Sequence, residues 1–395
     1  MGALSAAIGR TLASWRAAET SEKRTLIIPP AIPGSLGDAA MISASSTFLR
    51  KTGVPHVDLL YGNPWPLDER IDRRIPGERF FYRQSRIQQA LLVAQLPRYE
   101  SCYFIGADVI DGAYNPPSVN ARLSLVAEAA RMGKKATVLG ASYNTHPEKT
   151  TRNSLRKLPA SVTICARDPV SKVRMEDELE RPIRQVADLA FLLEPRMLHP
   201  VVQQAHDWIE IRKAKGDQVV GVNANYLHAE KDARIPAALK VFIRQLLQHS
   251  LSVVLIPHDT RSKRPDQLLL EEATADLSPI ERERVFMLPP VSPGVVRAVT
   301  PVLDMLATGR MHTAILGLSG GTASFSFAYQ DKFEGLLQFF KLEQSDLLST
   351  PDELSKDPVR VADKFLQVLQ EKDTLEEHIQ HYLPYVLNLA RANFL

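Results

Sequence analysis

Three basic side chains lie close together in the last third of the sequence, at positions where they could bind an anion. Arg310 and His312 come just after the apolar segment that ends at Gly309, and Lys332 follows the next apolar segment. A guanidinium group offers a planar pair of donors to phosphate or carboxylate, an imidazole titrates near neutral pH, and an ammonium group adds a point charge. These residues are therefore candidates for binding and protonating a small, strongly anionic substrate.

The elements that would position these side chains alternate along the chain between apolar strands and helices. Runs such as 24–30, 101–108 and 135–143 are typical of buried strands, and segments such as 120–134 are typical of helices. This alternation predicts parallel sheets covered by helices on both faces. Because the pattern restarts near residue 217, we predict an α/β protein with two doubly wound, Rossmann-like domains that face a cleft.

The length of 395 residues also exceeds what one hydrophobic core usually serves. We predict a first domain over 1–200, a second over 201–345 and C-terminal helices over 346–395. In open α/β sheets, ligands bind beyond the carboxyl ends of the strands, so the cleft between the two sheets is the expected ligand site.

Several other polar residues fall at predicted strand ends, where they would point toward that cleft. Arg167 follows the strand-like run 161–166, and Asp38 lies in the loop after the first strand. Both have a second interpretation, because either position could serve only to cap the helix that follows. The other candidates at strand ends or in the loops after them are Asp111, Tyr114, Asn225 and His258.

The composition indicates which partners are unsuited to the protein and in which cellular compartment it is expected. The formal charge is only +3 and the basic residues are dispersed, which argues against nucleic acid as the main partner. Two cysteines, Cys102 and Cys165, lie in apolar runs without disulfide or zinc spacing, which favours a reducing, cytoplasmic location. The segment 1–24 predicts an amphipathic helix that either packs against the domain or rests on a membrane surface.

Six short segments, in order between about residues 26 and 343, carry a resemblance to a known family. They are "GSLGDAAM", "FIGADVIDG", "ICARDPVSKVRM", "QVADLAFLL", the paired strands "VVGVNAN" and "VVLIPHD", and "GRMHTAILGL" followed by "AYQDKFEGLL". Together they resemble the polysaccharide pyruvyl transferase family, whose C-terminal signature joins Arg-x-His to Tyr-x-x-Lys. The chain departs from the family at 319–322, where Ser-Gly-Gly-Thr replaces Gly-x-Pro, and at the first glycine-rich strand end, which reads "GADVIDG".

The resemblance implies a fold similar to B-type glycosyltransferases and a reaction of phosphoenolpyruvate. The enolpyruvyl group would move to two hydroxyls of a sugar as a cyclic ketal, with release of phosphate, during synthesis of an exopolysaccharide. Phosphoenolpyruvate is then a co-substrate, and neither a metal nor another cofactor is implied. The acceptor would be a sugar or a lipid-linked oligosaccharide, which would bring this cytoplasmic enzyme to the inner face of the membrane.

The chemistry of such a transfer suggests roles for the candidate residues. His312 is expected to donate a proton and Asp38 to accept one, with Asp111 and His258 as alternative bases. The first domain is expected to bind the acceptor and the second the donor. Donor binding is assigned to Arg167, Arg310, His312 and Lys332, and acceptor binding to Asp111, Tyr114, Asn225 and His258.

Two other functions stay open from the sequence. A B-type glycosyltransferase that uses a nucleotide sugar would share the architecture and the anion site at a helix N-terminus. A non-catalytic protein that binds a glycan or scaffolds an assembly complex would share the fold alone. Saturable binding of a nucleoside diphosphate would favour the first alternative, and the absence of phosphate release from phosphoenolpyruvate would favour the second.

Overall fold

The chain folds into two parallel β-sheets with helices packed on them. A computed structural model describes residues 24–62, 65, 71–261, 265–328, 332–343 and 345–395. The predicted N-terminal helix and Tyr329 lie outside these residues. Within them, the two sheets confirm the predicted α/β architecture of two Rossmann-like halves.

The first half forms a seven-stranded sheet. Its strands are β1 (Arg24–Ile28), β2 (His56–Leu59), β3 (Arg73–Arg74), β4 (Tyr99–Ala107), β5 (Lys135–Ala141), β6 (Thr163–Ala166) and β7 (Arg184–Gln185). Every neighbouring pair is parallel, in the order β3-β2-β1-β4-β5-β6-β7. The connecting helices are α1 (Leu36–Lys51), α2 (Glu78–Arg83), α3 (Arg86–Gln95), α4 (Pro116–Arg131), α5 (Lys149–Arg156) and α6 (Pro169–Leu179).

After α7 (Pro200–Ala214), the second half forms a six-stranded parallel sheet. Its strands are β8 (Gln218–Asn223), β9 (Leu251–Leu255), β10 (Val285–Met287), β11 (Met305–Thr308), β12 (Ser324–Phe327) and β13 (Leu348–Ser349), in the order β10-β9-β8-β11-β12-β13. Its helices are α8 (Tyr226–Lys231), α9 (Ile235–Gln248), α10 (Asp266–Thr274), α11 (Pro279–Arg282), α12 (Pro293–Val299), α13 (Met311–Leu318) and α14 (Lys332–Gln338).

The apolar core explains why the two halves stay together. All residues of β1, β9 and β11 are buried, as expected for strands covered on both faces. One apolar cluster begins on one face of the first sheet, with Ile27 and Tyr103, and continues through α1 into the second half. A second cluster fills the space on the other face of the first sheet. The interface between the halves is therefore part of a continuous hydrophobic core, which holds the two halves together.

Both sheets reverse their strand order at their first strand. In the first sheet β1 lies between β2 and β4, and in the second β8 lies between β9 and β11. Loops leave such a reversal in opposite directions and open a crevice at the carboxyl ends of the strands. The two crevices therefore mark where each half can bind a ligand.

Backbone contacts join the two halves at these crevices. Ser35 and Asp259 form an isolated antiparallel β-bridge. The Leu36 N–H donates to the His258 carbonyl at 3.1 Å, and the Thr260 N–H donates to the Gly34 carbonyl at 2.9 Å. The loop after β1 is thus fixed to the loop after β9.

The last helices return the chain from the second half to the first. After α15 (Pro351–Lys356) and α16 (Pro358–Leu369), the helix α17 (Lys372–Arg391) begins beside the second sheet, where the Lys372 ammonium is 2.9 Å from Asp304 Oδ1. A 3₁₀ turn over Ala392–Phe394 then reaches the first sheet. There the Asn393 side chain accepts from the Gly140 N–H at 2.9 Å and donates to the Ala187 carbonyl at 3.0 Å.

Two further sequence expectations concern thiols and membrane spans. Cys102 and Cys165 are buried and unpaired, and burial raises the pKa of both thiols to about 12, as expected for inert cysteines. In the described part of the chain, every helix is too short or too polar to cross a bilayer.

Candidate active site

A cavity of about 340 Å³ lies between the two sheets, at the carboxyl ends of their strands. Its walls come from loops and helix starts that follow strands of both halves, including β1 and β4 on one side and β8, β9 and β11 on the other. Seven of the residues singled out from the sequence line it: Asp38, Tyr114, Arg167, His258, Arg310, His312 and Lys332. The strand-end positions therefore converge, as the topology requires.

The helix α13 begins at this cavity with unused backbone donors. Arg310 is its N-cap residue, and the Arg310 N–H donates to Thr308 Oγ1 at 2.9 Å. The first helical hydrogen bond of α13 is donated by the Ala314 N–H to the Arg310 carbonyl, at 3.2 Å. The N–H groups of residues 311–313 have no partner in the described chain, and such groups at a helix N-terminus suit an anion.

The Arg310 guanidinium is held by carboxylates that the sequence analysis did not identify. Its Nε and Nη2 donate to the two oxygens of Asp266 at 3.0 and 2.7 Å, and its Nη1 lies 3.6 Å from Asp259 Oδ2. The guanidinium also lies 4.9 Å from the centre of the Tyr226 ring. Burial raises the pKa of Asp266, although Arg310 opposes that shift. Arg310 is therefore fixed in place by a buried ion pair at the edge of the cavity.

Arg167 and His312 share one buried carboxylate. Arg167 donates through Nη1 to Asp188 Oδ2 at 2.7 Å and through Nε to Ser142 Oγ at 2.8 Å. His312 Nε2 lies 3.6 Å from the same Asp188 oxygen. Burial favours the neutral acid, but His312 and Arg167 outweigh it and hold the pKa of Asp188 well below its usual range. Asp188 is thus an anion placed beside the imidazole.

Arg167 is not the cap of the helix that follows it, because the next residue has that role. Asp168 is the N-cap residue of α6, and its Oδ1 accepts from the Ser171 N–H at 2.7 Å. Arg167 itself is buried at the wall of the cavity.

Lys332 starts α14 and reaches across to the first half. Its ammonium donates to Asp108 Oδ2 at 3.1 Å, and the Tyr114 hydroxyl lies 3.4 Å from the same oxygen. Burial alone would raise the pKa of Asp108, but Lys332 and Arg167 hold it well below its usual range. This ion pair closes one side of the cavity between the two halves.

Among the residues that the structure describes, two carboxylates line the cavity, and the burial of Asp38 is offset less by nearby cations than the burial of Asp108. Ser35 caps α1 by accepting from the Asp38 N–H at 3.4 Å, so the Asp38 side chain is not the cap. Its carboxylate has one basic neighbour within ion-pair distance in the described chain, Arg261, whose Nη1 lies 3.5 Å away. Burial raises the pKa of Asp38 to about 6, although Arg261 opposes the shift. This group can gain or lose a proton near neutral pH.

His258 lines the cavity, but both of its ring nitrogens are engaged. Nε2 accepts from the Gly37 N–H at 3.3 Å, and Nδ1 lies 2.9 Å from Thr313 Oγ1. Burial and the nearby Arg310 lower its pKa well below the usual value. A neutral His258 therefore joins the start of α1 to the first turn of α13, which limits its use as a base.

Asp111 and Asn225 do not line the cavity. Asp111 is fully buried, and its two oxygens accept from the Ala113 and Asn144 N–H groups at 3.0 and 3.2 Å. Asn225 caps α8 and donates to the Gly309 carbonyl at 2.8 Å. Both side chains bind loop backbone instead of facing the cleft. Their assignment to acceptor binding therefore has no support from their positions.

Gly37 allows the His312 ring to lie where it does. A Cβ at position 37 would overlap the imidazole ring of His312. If His312 is the proton donor expected from the sequence, Gly37→Ala should displace its ring and lower kcat/KM about 100-fold, since misplacing a reacting group by about 1 Å has effects of that size. Steady-state kinetics would measure this change. In a His312→Ala background the same substitution should have almost no further effect, and equal losses in both backgrounds would contradict the steric explanation.

The sequence analysis did not single out four site residues, although the first two lie in segments that carry the family resemblance: Asp188, Asp259, Arg261 and Asp266. Asp259 and Arg261 come one and three residues after His258, so the same strand-end rule could have found them. Asp266 gives no such signal, because it begins a helix and meets Arg310 only through the tertiary fold.

The fold of two facing parallel sheets is shared with solved structures described as glycosyltransferases and as UDP-N-acetylglucosamine 2-epimerases. The chain superposes on a protein from Listeria monocytogenes described as a UDP-N-acetylglucosamine 2-epimerase, with a TM-score of 0.61, 12% identity and 94% of each chain covered. For UDP-GlcNAc 2-epimerase from Neisseria meningitidis the TM-score is 0.57, with 11% identity and coverage of 93% of this chain and 98% of that one. For sucrose-phosphate synthase from Thermosynechococcus elongatus the TM-score is 0.54, with 14% identity and coverage of 94% and 97%.

At such low identities these similarities show the fold alone. The sequence model of the polysaccharide pyruvyl transferase family matches residues 36–331, and the chain belongs to this family. A comparison with curated protein sequences gave no significant match.

Proposed function

We propose that this protein transfers the enolpyruvyl group of phosphoenolpyruvate to two hydroxyls of a sugar, forming a cyclic ketal and releasing phosphate. The observation that carries the proposal is the convergence of Arg167, Lys332 and the open N-terminus of α13 around His312 in one cavity. Phosphoenolpyruvate presents a phosphate and a carboxylate on a three-carbon frame. Cationic side chains and backbone donors arranged on several sides of a small cavity suit such a ligand.

The charges around the cavity suggest how the donor would bind. Arg167, Arg310 and Lys332 each have an aspartate partner, which fixes their positions but offsets part of their charge. The helix N–H groups of 311–313 would then supply much of the remaining attraction.

The proposed chemistry needs one proton donor and one proton acceptor in the first step. As a sugar hydroxyl attacks C2 of the donor, His312 gives a proton to C3 and Asp38 takes the proton of the hydroxyl. The second hydroxyl then attacks C2 and displaces phosphate, whose charge the α13 donors and Arg167 stabilise. His312, which has given up its proton, takes the proton of the second hydroxyl, and Asp38 passes the proton that it accepted to the released phosphate. Both residues thus return to their starting states, and the two hydroxyl protons balance the proton on C3 and the one on phosphate, so no other reactant is consumed.

The proposal is tested by donor binding. We expect titration calorimetry to show saturable binding of phosphoenolpyruvate and none of UDP. Lys332→Gln should weaken phosphoenolpyruvate binding by about tenfold or more, because it removes a charged partner in a buried site. The matched control is Lys341→Gln, at an exposed lysine outside the cavity.

A second measurement separates catalysis from binding alone. Phosphate release from phosphoenolpyruvate should depend on a glycan acceptor with two suitably placed hydroxyls. Saturable UDP binding without phosphoenolpyruvate binding would favour a glycosyltransferase that uses a nucleotide sugar. Glycan binding without phosphate release, across a panel of acceptors, would favour a non-catalytic role.

A further inference from the structure

The helices α2 and α3 carry a local excess of positive charge that the overall charge conceals. Between residues 73 and 98 the chain has six arginines and one acidic residue, Glu78, whereas the whole chain has a formal charge of +3. The Glu78 carboxylate is turned inward, where it accepts from the Gly62 and Gly77 N–H groups at 2.7 and 2.8 Å. It therefore does not cover the outward-facing arginines.

Three of these arginines are exposed on two consecutive helices. Arg79 and Arg83 are one helical turn apart on α2, and Arg86 is the first residue of α3. All three are exposed, and none forms an ion pair with any residue in the part of the chain that the structure describes. Exposed cations that form no ion pair with the described residues favour an anionic partner.

Exposed apolar side chains lie among these arginines. Tyr82 is 38% exposed, Ile87 77% and Leu91 51%. Ile87 and Leu91 are four residues apart on α3, so they lie on the same side of the helix. The opposite sides of both helices pack into the core through residues such as Phe81 and Leu92. We call the outward surface the rim face; it consists of Arg79, Tyr82, Arg83, Arg86, Ile87 and Leu91.

The rim face is tied to the walls of the cavity. Tyr82 accepts a hydrogen bond from Arg122 Nη2 at 3.1 Å, and Arg122 Nε donates to the Pro29 carbonyl at 2.7 Å, just before the loop that contributes Ile32 to the cavity. Gln84 Nε2 donates to the Pro117 carbonyl at 3.2 Å, three residues after Tyr114. Ile32 and Tyr114, which line the cavity, are themselves exposed.

We propose that the rim face binds the surface of an anionic membrane. Arginines attract lipid phosphates, and adjacent aliphatic side chains can enter the region between headgroups and acyl chains. Nucleic acid fits less well, because two of the three exposed apolar residues are aliphatic and cannot stack on bases as aromatic rings do. If the proposed function holds, a sugar acceptor carried on a lipid would enter the cavity from this side.

The full-length protein can be tested by co-sedimentation with vesicles. Binding to vesicles of phosphatidylglycerol and phosphatidylcholine should be saturable and should fall with added salt, and binding to phosphatidylcholine alone should be much weaker. The triple variant Arg79→Gln, Arg83→Gln, Arg86→Gln should lose roughly 100-fold in affinity, since each basic residue near an anionic surface contributes about a fivefold factor. The double variant Ile87→Ser, Leu91→Ser should lose about tenfold or more at the same salt concentration.

The matched control removes the same charge elsewhere, at the exposed residues Lys157, Arg360 and Arg391, each changed to Gln. It should bind like the wild type. The proposal would be overturned if this control lost as much affinity as the rim-face variant, or if the protein bound both kinds of vesicle equally well. It would also be overturned if binding survived the rim-face changes but was lost on removal of residues 1–23. Rim-dependent binding of an oligonucleotide without vesicle binding would likewise overturn it. None of these measurements depends on pyruvyl transfer, so they fail or succeed separately from the proposed function.

Discussion

Replacing His312 with glutamine is expected to lower kcat roughly 1000-fold, because general acid catalysis commonly contributes between 100-fold and 10,000-fold. Glutamine keeps a polar group of similar reach but cannot carry a transferable proton. Arg167, Lys332 and the first turn of α13 stay in place, so phosphoenolpyruvate should still bind within a few-fold of its wild-type affinity. Single-turnover kinetics and titration calorimetry would measure the two quantities separately.

The control for this variant is His249→Gln, at the C-terminal end of α9 and away from the cavity. It should have wild-type kinetics. Full activity of His312→Gln would remove His312 from the proposed proton transfer. An equal loss of turnover and of donor binding would instead assign His312 to binding alone.

Replacing Asp38 with asparagine is expected to lower activity and raise stability at the same time. A pKa shift from 3.8 to about 6 means that the ionised Asp38 costs the folded state about 3 kcal/mol above pH 6. Asparagine removes that cost, so the free energy of unfolding at pH 7.5 should rise by up to about that amount. The gain should shrink as the pH falls from 6 toward 4, because the folded wild type then takes up a proton on Asp38 while the unfolded chain does not, and it should vanish once the unfolded carboxyl is protonated as well. Urea denaturation at several pH values would measure it.

The same variant should lose about 100-fold in kcat/KM, because it has no group to accept the hydroxyl proton. In the wild type, kcat/KM should fall as the pH drops below about 6, and the variant should lack the part of that dependence due to Asp38. Asp108→Asn is the matched control for stability. It should destabilise the protein, since the pKa of Asp108 is shifted in the opposite direction by Lys332 and Arg167. A loss of stability in Asp38→Asn would contradict this prediction, because it would mean that nearby positive charge stabilises the ionised Asp38 more than burial destabilises it.

The sequence predicted the fold and much of the cavity because both depend on a simple rule. Apolar runs on both sides of helices predict parallel strands, and the polar residues directly after those strands must then meet at one edge. Arg167, His258 and Arg310 followed this rule and line the cavity. Asp111 also comes soon after a strand, but its carboxylate turns back to bind the loop backbone. Chain position fixes where a residue lies, and only tertiary packing decides where its side chain points.

The acidic partners of the cations could not be predicted for the same reason. Arg310 and Asp266 are separated by 44 residues, and Lys332 and Asp108 by 224. No local pattern links such residues, yet their pairing decides how much positive charge a ligand meets. The sequence therefore indicated an open cluster of cations, whereas the structure contains cations already held by aspartates. This arrangement keeps the side chains ordered before a ligand arrives, at the expense of part of their attraction for anions.

The return of the chain to the first sheet has a consequence for how the protein is made. Asn393 hydrogen-bonds to Gly140, 253 residues earlier, and Phe394 packs on Tyr103 and Phe48. A ribosome delivers these residues long after it has delivered the strands they cover. The first half therefore emerges from the ribosome with part of its apolar surface uncovered, and that part is covered only when residues 392–394 arrive.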